Sequence, residues 1–163
     1  MNIAIYPAQK ADAGVILDMI IELAEYELAR NQVIATREDI EKTLFGPEAR
    51  TEALICAIDG EPVGYAVFFM SYSTWLGKNG IYLEDLYVAK RFRQHGAGKA
   101  LLAHVAKLAK ERGCGRLEWS VLDWNQPAID FYDSIGANAQ SEWIRYRLDE
   151  QGIENFLRKH ARA

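Results

Sequence analysis

The chain has 163 residues, half of them apolar and about a quarter charged, with two cysteines and a formal net charge of −4 at pH 7. That size allows one core and one site rather than two domains, and the composition excludes a disordered or fibrous protein. The acidic balance speaks against a nucleic-acid partner and suits a cationic ligand.

The longest uncharged stretch, running from Pro62 up to Lys78, is too short and too polar to span a membrane. The N-terminus Met1-Asn2-Ile3-Ala4-Ile5 lacks the basic and apolar regions of an export signal, so the expected location is the cytoplasm. Cys56 lies in an apolar run and Cys114 between glycines, without metal-ligand spacing, and His95, His104 and His160 are scattered. No metal is expected, and both thiols read as packing residues.

In chain order, residues 2–6 alternate as a strand that stops at Pro7. From Asp12, Val15, Ile16, Met19, Ile20, Leu23 and Ala24 recur at helical spacing, and Thr36 with Asp39 forms the signature of a capping box opening a second helix. The stretches 52–58, 62–72 and 81–88 are rich in β-formers, with a hairpin signal at Asp59-Gly60-Glu61, and predict an antiparallel meander. Leu101, Leu102, Val105, Ala106, Leu108 and Ala109 predict an amphipathic helix ended by Gly113, followed by a strand over 116–122. Asn125 and Pro127 open a short helix stopped by Gly136. Residues 143–148 then alternate as a last strand before a helix over 150–159. The order βααβββαβαβ with a C-terminal helix is an α+β class with a mixed, mostly antiparallel sheet flanked by helices, in one domain covering 1–163.

The chemically informative segment is the strand Leu83-Glu84-Asp85-Leu86-Tyr87-Val88 followed by Arg93-Gln94-His95-Gly96-Ala97-Gly98-Lys99. A strand that delivers a glycine-containing turn to a helix N-terminus exposes backbone N–H groups at the positive end of the helix dipole, which suits an anion. Gly96 and Gly98 permit close approach, Arg93 and Lys99 add charge, and pyrophosphate is the natural ligand. The spacing fits neither a Walker loop nor a dinucleotide fingerprint, in which Leu101 would have to be glycine. A glycine pair before a helix is equally compatible with a plain capping turn.

Arg-x-x-Gly-x-Gly after a strand resembles the coenzyme-A pyrophosphate loop of the GNAT acetyltransferases, and the element order agrees. Tyr26-Glu27, Trp75-Leu76-Gly77-Lys78, Tyr82-Leu83-Glu84-Asp85 and the run from Trp124 through Asn125, Gln126, Pro127, Ala128, Ile129, Asp130 and Phe131 to Tyr132 narrow the resemblance. They are similar to spermidine/spermine (diamine) and thialysine acetyltransferases over essentially the whole chain. The resemblance implies acetyl-CoA as co-substrate. It implies that the backbone of Leu86, Tyr87 and Val88 pairs with the pantetheine arm, and that Arg93 and the turn from Gln94 to Lys99 hold the pyrophosphate. It further implies that Asn125, Gln126, Pro127 and Ala128 line the cofactor near its thioester, that Tyr132 protonates the departing thiolate, and that the protein is a homodimer. Before the resemblance is considered, Tyr132 on the apolar face of its helix reads as a packing residue.

An amine with a pKa near 10 must lose a proton before it can attack, so a carboxylate near the thioester is required, directly or through water. Glu84 and Asp85 are adjacent in a strand and are expected to point to opposite faces. Glu84 is assigned the base with a water relay, and Asp85 contacts the substrate or a dimer partner. Tyr26, Glu27, Trp75, Glu84, Asp85, Trp119 and Glu142 offer carboxylates and aromatic faces to an ammonium-bearing chain. Ser73 stands where the polyamine enzymes carry an acidic residue, which leaves shorter diamines and thialysine-like amino acids open beside the polyamines. A protein or peptide acetyltransferase and a catalytically silent coenzyme-A-binding module remain the alternatives.

Overall fold

In the computed structural model, which describes residues 1–160, strands arise where β-branched and aromatic residues concentrate and helices where caps meet apolar periodicity. Strand β1 (Ile3–Pro7) leads to helices α1 (Ala13–Tyr26) and α2 (Arg37–Phe45). The meander of β2 (Thr51–Ile58), β3 (Glu61–Ser73) and β4 (Lys78–Val88) follows. Helix α3 (Ala97–Glu111), β5 (Leu117–Trp119), α4 (Gln126–Ser134) and α5 (Glu150–His160) complete the order. The Thr36 cap forms as expected: Asp39 N donates to Thr36 Oγ1 at 3.1 Å, and Thr36 N donates to Asp39 Oδ2 at 2.9 Å. Asp59 and Gly60, both at positive φ, make the two-residue turn between β2 and β3.

The sheet order is β1-β2-β3-β4-β5, antiparallel through β4 and parallel between β4 and β5. On one face, Ala53, Ile55, Tyr65, Val67 and Tyr87 pack with Ala13, Ile16 and Met19 of α1 and Ile40 of α2. The alternate residues, including Leu54, Cys56, Ala66 and Phe68, with Leu83 opposite Phe68, are buried on the other face, where α3 contributes Leu101, Leu102, Val105 and Ala109. Cys56 is buried and Cys114 half-buried, both as free thiols. No helix among the described residues is long and apolar enough to cross a membrane.

The chain divides into two compact units, Met1–Leu122 and a second beginning at Asp123. All five strands and α1 to α3 belong to the first. In the second, Asn125 caps α4 by accepting from Ala128 N at 3.4 Å, with Pro127 in the first turn and Gly136, at φ 89°, just past the end. Helix α5 carries Ile153, Phe156 and Leu157 on a half-exposed apolar face.

Two strand expectations are corrected. Residues 143–148 form no strand, and Trp143, Ile144, Tyr146 and Leu148 are exposed. Alternation supplies the side-chain pattern of a strand, but the strand itself requires a neighbouring edge, and this segment has no ladder partner within the described chain. The strand expected over 116–122 contracts to Leu117–Trp119, the residues that pair with Ile81 to Leu83.

Gly64 sits near the start of β3, opposite Val88. A Cβ there would lie 2.5 Å from the Tyr87 carbonyl oxygen and 3.2 Å from Val88 Cγ2, and a carbonyl held in the ladder cannot move aside. Gly64→Ala is expected to destabilise the protein by about 2 kcal/mol, measured as a lowered denaturation midpoint in urea with the m-value unchanged.

Candidate active site

The β3–β4 ladder contains one extra residue. Val67 pairs with Asp85 while the next residue, Phe68, pairs with Leu83, so Glu84 has no counterpart and the strand bulges there. Leu83 and Leu86 oppose Phe68 and Ala66, which are two apart and share a face. Glu84 and Asp85 therefore occupy together the interval that a regular strand fills with one residue, and the alternation expected to place them on opposite faces does not apply. Glu84 is exposed and Asp85 is half-buried.

Parallel pairing between β4 and β5 ends at Leu83 with Trp119, immediately before the bulge. From Glu84 to Val88 the β4 edge turned away from β3 has no strand partner among the described residues. This is the edge expected to receive an extended ligand arm through the backbone of Leu86, Tyr87 and Val88.

Beyond β4, the turn places Gln94 at φ 68° and Gly96 at φ 84°, with His95 between them exposed. The first helical bond of α3 runs from Ala100 N to Gly96 O at 2.9 Å, so the N–H groups of Ala97, Gly98 and Lys99 precede the ladder. Gly96 needs its positive φ. Gly98 does not: it is helical, and an added Cβ would make only a 3.9 Å contact with Val88 Cγ2. Packing within the chain therefore gives no reason for a glycine there, whereas an anion resting on the exposed N–H groups does, and the turn fits a pyrophosphate. Arg93 is differently engaged. Its Nε donates to the Val88 carbonyl at 3.0 Å, and its guanidinium lies 4.8 Å from the Tyr26 ring centroid and 5.8 Å from that of Tyr87. It thus braces the end of β4 against the end of α1, leaving Lys99 as the exposed cation at the turn.

The same brace gathers several expected substrate residues. Tyr26 and Glu27 end α1, Asp85 lies one residue past the bulge, and the Tyr87 hydroxyl donates to Glu22 Oε1 at 3.1 Å. Burial raises the Glu27 pKa, and the negative charge of Asp85 raises it further. Burial likewise raises that of Asp85; a hydrogen bond from Tyr65 opposes this, and the charge of Glu84 adds to it. Among the described residues neither Glu27 nor Asp85 enters an ion pair. Trp119 joins this region by pairing with Leu83. Trp75 does not. It is exposed at the β3–β4 hairpin tip with Arg116 over its ring, beyond Ser73 at the end of β3, which is itself six residues along the strand from Val67, the partner of Asp85, a strand distance of roughly 20 Å.

The remaining expected residues lie in the second unit. Asn125 to Ala128 form the capped start of α4, and Tyr132 sits half-buried on that helix with its ring 5.6 Å from that of Phe131. Glu142 is exposed in the segment before α5. Among the described residues no cluster of His, Cys, Asp and Glu could hold a metal.

Sequence reasoning missed Tyr65. It is fully buried in β3, and its hydroxyl donates to Asp85 Oδ2 at 2.8 Å. A tyrosine inside an apolar strand always raises the question of where its hydroxyl finds a partner, and that was the available signal.

A carboxyl whose pKa is raised in the folded state contributes stability that is present below the unfolded carboxylate range and lost as pH rises through the folded value. Asp85→Asn removes the cost of the part-buried charge while leaving an acceptor for Tyr65. Its Tm at pH 8 is expected to exceed that of the wild type by about 2–4 °C, and the gain should vanish near pH 3 in thermal scans.

A model of the Acetyltransferase (GNAT) family matches residues 19–137. Thialysine N-epsilon-acetyltransferase from Sus scrofa is 37% identical over 169 residues, covering 97% of this chain and 99% of the relative. L-ornithine N5-acetyltransferase from Arabidopsis thaliana is 37% identical over 117 residues, covering 72% of this chain and 48% of the relative. Among solved structures, an integron cassette protein from the mobile metagenome of V. cholerae superposes with a TM-score of 0.80 at 25% identity, covering 96% of this chain and 98% of the other. With most of the chain inside the family model and a relative matched end to end, the parted strand edge and the phosphate-ready turn take a single reading: the chain belongs to the GNAT family and is an acetyl-CoA-dependent acetyltransferase.

Proposed function

We propose that this enzyme acetylates the side-chain amine of a thialysine-like basic amino acid or a short diamine. Acetylation of a small amine is the family-level activity. The observation that carries the finer reading is the carboxylate pair Glu27 and Asp85, part-buried beside the open β4 edge and in no ion pair among the described residues. Such a pair favours a ligand that brings positive charge. The named activities of the thialysine and ornithine relatives support a basic amino acid, and Ser73 in place of an acidic residue supports it over a polyamine.

In this reading the β4 backbone at Leu86 to Val88 holds the pantetheine arm and the turn at Gln94 to Lys99 holds the pyrophosphate. Asn125 to Ala128 line the thioester end of the cofactor. Tyr26, Glu27, Asp85, Trp119 and Glu142 receive the amine, while Trp75 at its hairpin tip is the weakest member of the set. Glu84, exposed at the bulge, takes the ammonium proton through water, and the freed amine attacks the thioester carbon directly in a ternary complex. The C–N bond forms, the C–S bond breaks, Tyr132 protonates the departing sulfur, and the second proton shed by the acylated nitrogen restores the Tyr132 hydroxyl through solvent. The chain is read as a single acetyltransferase domain, and the enzyme as a homodimer, the commonest closed oligomer.

Thiol release from acetyl-CoA is the test, with thialysine, ornithine, lysine, putrescine, spermidine, spermine and basic peptides as acceptors. Turnover is expected to be fastest on a small basic amino acid or diamine, and Tyr132→Phe should lower kcat by roughly 10²-fold with little change in KM for the amine. Preference for peptides would overturn the substrate class, and tight acetyl-CoA binding without turnover on any acceptor would leave a binding module.

A further inference from the structure

We propose that Tyr65 is a positioning residue for the amine substrate: its buried hydroxyl holds the Asp85 carboxylate in one orientation to receive the ammonium group. This rests on the substrate role proposed for Asp85.

Tyr65 has no exposed surface and lies in the middle of β3 directly opposite Tyr87, with Asp85 diagonal to it across the ladder. Phenylalanine would satisfy the apolar surroundings formed by Ile16, Ile55 and Val67 equally well. The hydroxyl is therefore an added polar group in the core, and burying it is tolerable only because it donates to Asp85 Oδ2 at 2.8 Å. The bond spans the boundary between the buried face and the half-buried carboxylate, so a rigid aromatic ring fixed on all sides sets the position of a group at the edge of the site.

The neighbours of Asp85 make this bond consequential. Glu27 at the end of α1 and Glu84 on its own strand both add negative charge, and Tyr65 on β3 is its hydrogen-bond donor. Tyr87, on the same strand, directs its hydroxyl to Glu22 instead. Arg93 is committed to the Val88 carbonyl and to the faces of Tyr26 and Tyr87. Tyr65 thus supplies the stabilisation that no cation provides before substrate arrives. Its own proton is secure, because burial and the Asp85 charge drive the phenol pKa far upward and keep it a donor.

The experiment compares Tyr65→Phe, Asp85→Asn and the double variant in steady-state kinetics across pH, using the best amine from the acceptor panel. Tyr65→Phe is expected to raise KM for the amine about tenfold and to leave KM for acetyl-CoA unchanged. Loss of a donor to the charged carboxylate should also move the acid limb of kcat/KM for the amine upward by about one pH unit. Because Tyr65 acts through Asp85, adding Tyr65→Phe to Asp85→Asn should raise KM no further. Incorporating 3-fluorotyrosine at position 65 keeps the ring and hydroxyl while strengthening the donor, so it should move the acid limb downward even if Tyr65→Phe folds poorly. Additive effects of the two substitutions, or an unmoved acid limb in both position-65 variants, would overturn the positioning role while leaving Asp85 as a substrate residue. An Asp85→Asn enzyme with unchanged KM for the amine would overturn both that substrate role and this proposal.

Discussion

The extra residue at Glu84 in the β3–β4 ladder is the constraint on which the site depends. In a regular antiparallel pair each β4 residue would face one β3 residue, and β4 would stay in step with its neighbours on both sides. With two residues opposing Val67, the strand bends and twists locally. The β4–β5 pairing stops at Leu83, and the backbone from Glu84 to Val88 is left with one edge unpaired. A buried strand edge without partners is costly, and an edge open to an extended ligand converts that cost into binding. The same bulge brings two carboxylates to one interval of the strand, so the open strand edge and the paired acidic groups have a common origin.

Around this irregularity the rest of the first unit is conventional and stiff. Two layers of apolar side chains, one beneath α1 and α2 and one beneath α3, clamp the central strands. Gly64 is needed because the Tyr87 carbonyl lies where a side chain would begin. Arg93 ties the end of β4 to the end of α1 through a carbonyl and two aromatic rings. These contacts hold the end of β4 and the end of α1 in register, a use of the planar guanidinium as both hydrogen-bond donor and aromatic-face partner.

The electrostatics are arranged to be incomplete. Asp85 and Glu27 are part-buried and mutually repulsive, and among the described residues Asp85 is stabilised by a neutral hydroxyl rather than by an ion pair. Folding therefore bears a charge burden that an ammonium ligand would relieve, an exchange of stability for affinity that is common at functional sites. The segment 143–148, patterned as a strand, is not one among the described residues, and Ile144, Tyr146 and Leu148 on it are exposed.

The order of helices and strands as far as α4, the hairpin at Asp59-Gly60, the Thr36 and Asn125 caps and the glycine turn ahead of α3 were legible in the sequence, because each carries a signal within a few residues. The family followed from short motifs occurring in the right sequence order. What the tertiary structure decided depends on partners far apart in the chain. The bulge at Glu84 is a mismatch between two strands and cannot be seen in either alone. The length of β5 is set by where β4 turns away, and residues 143–148 have the alternation of a strand without the edge that would make them one. Tyr65 and Asp85, twenty positions apart, meet only because the β3–β4 hairpin folds them across one ladder. Local propensity and periodicity operate over one turn or one pleat, whereas register, burial and charge state are properties of the assembled sheet.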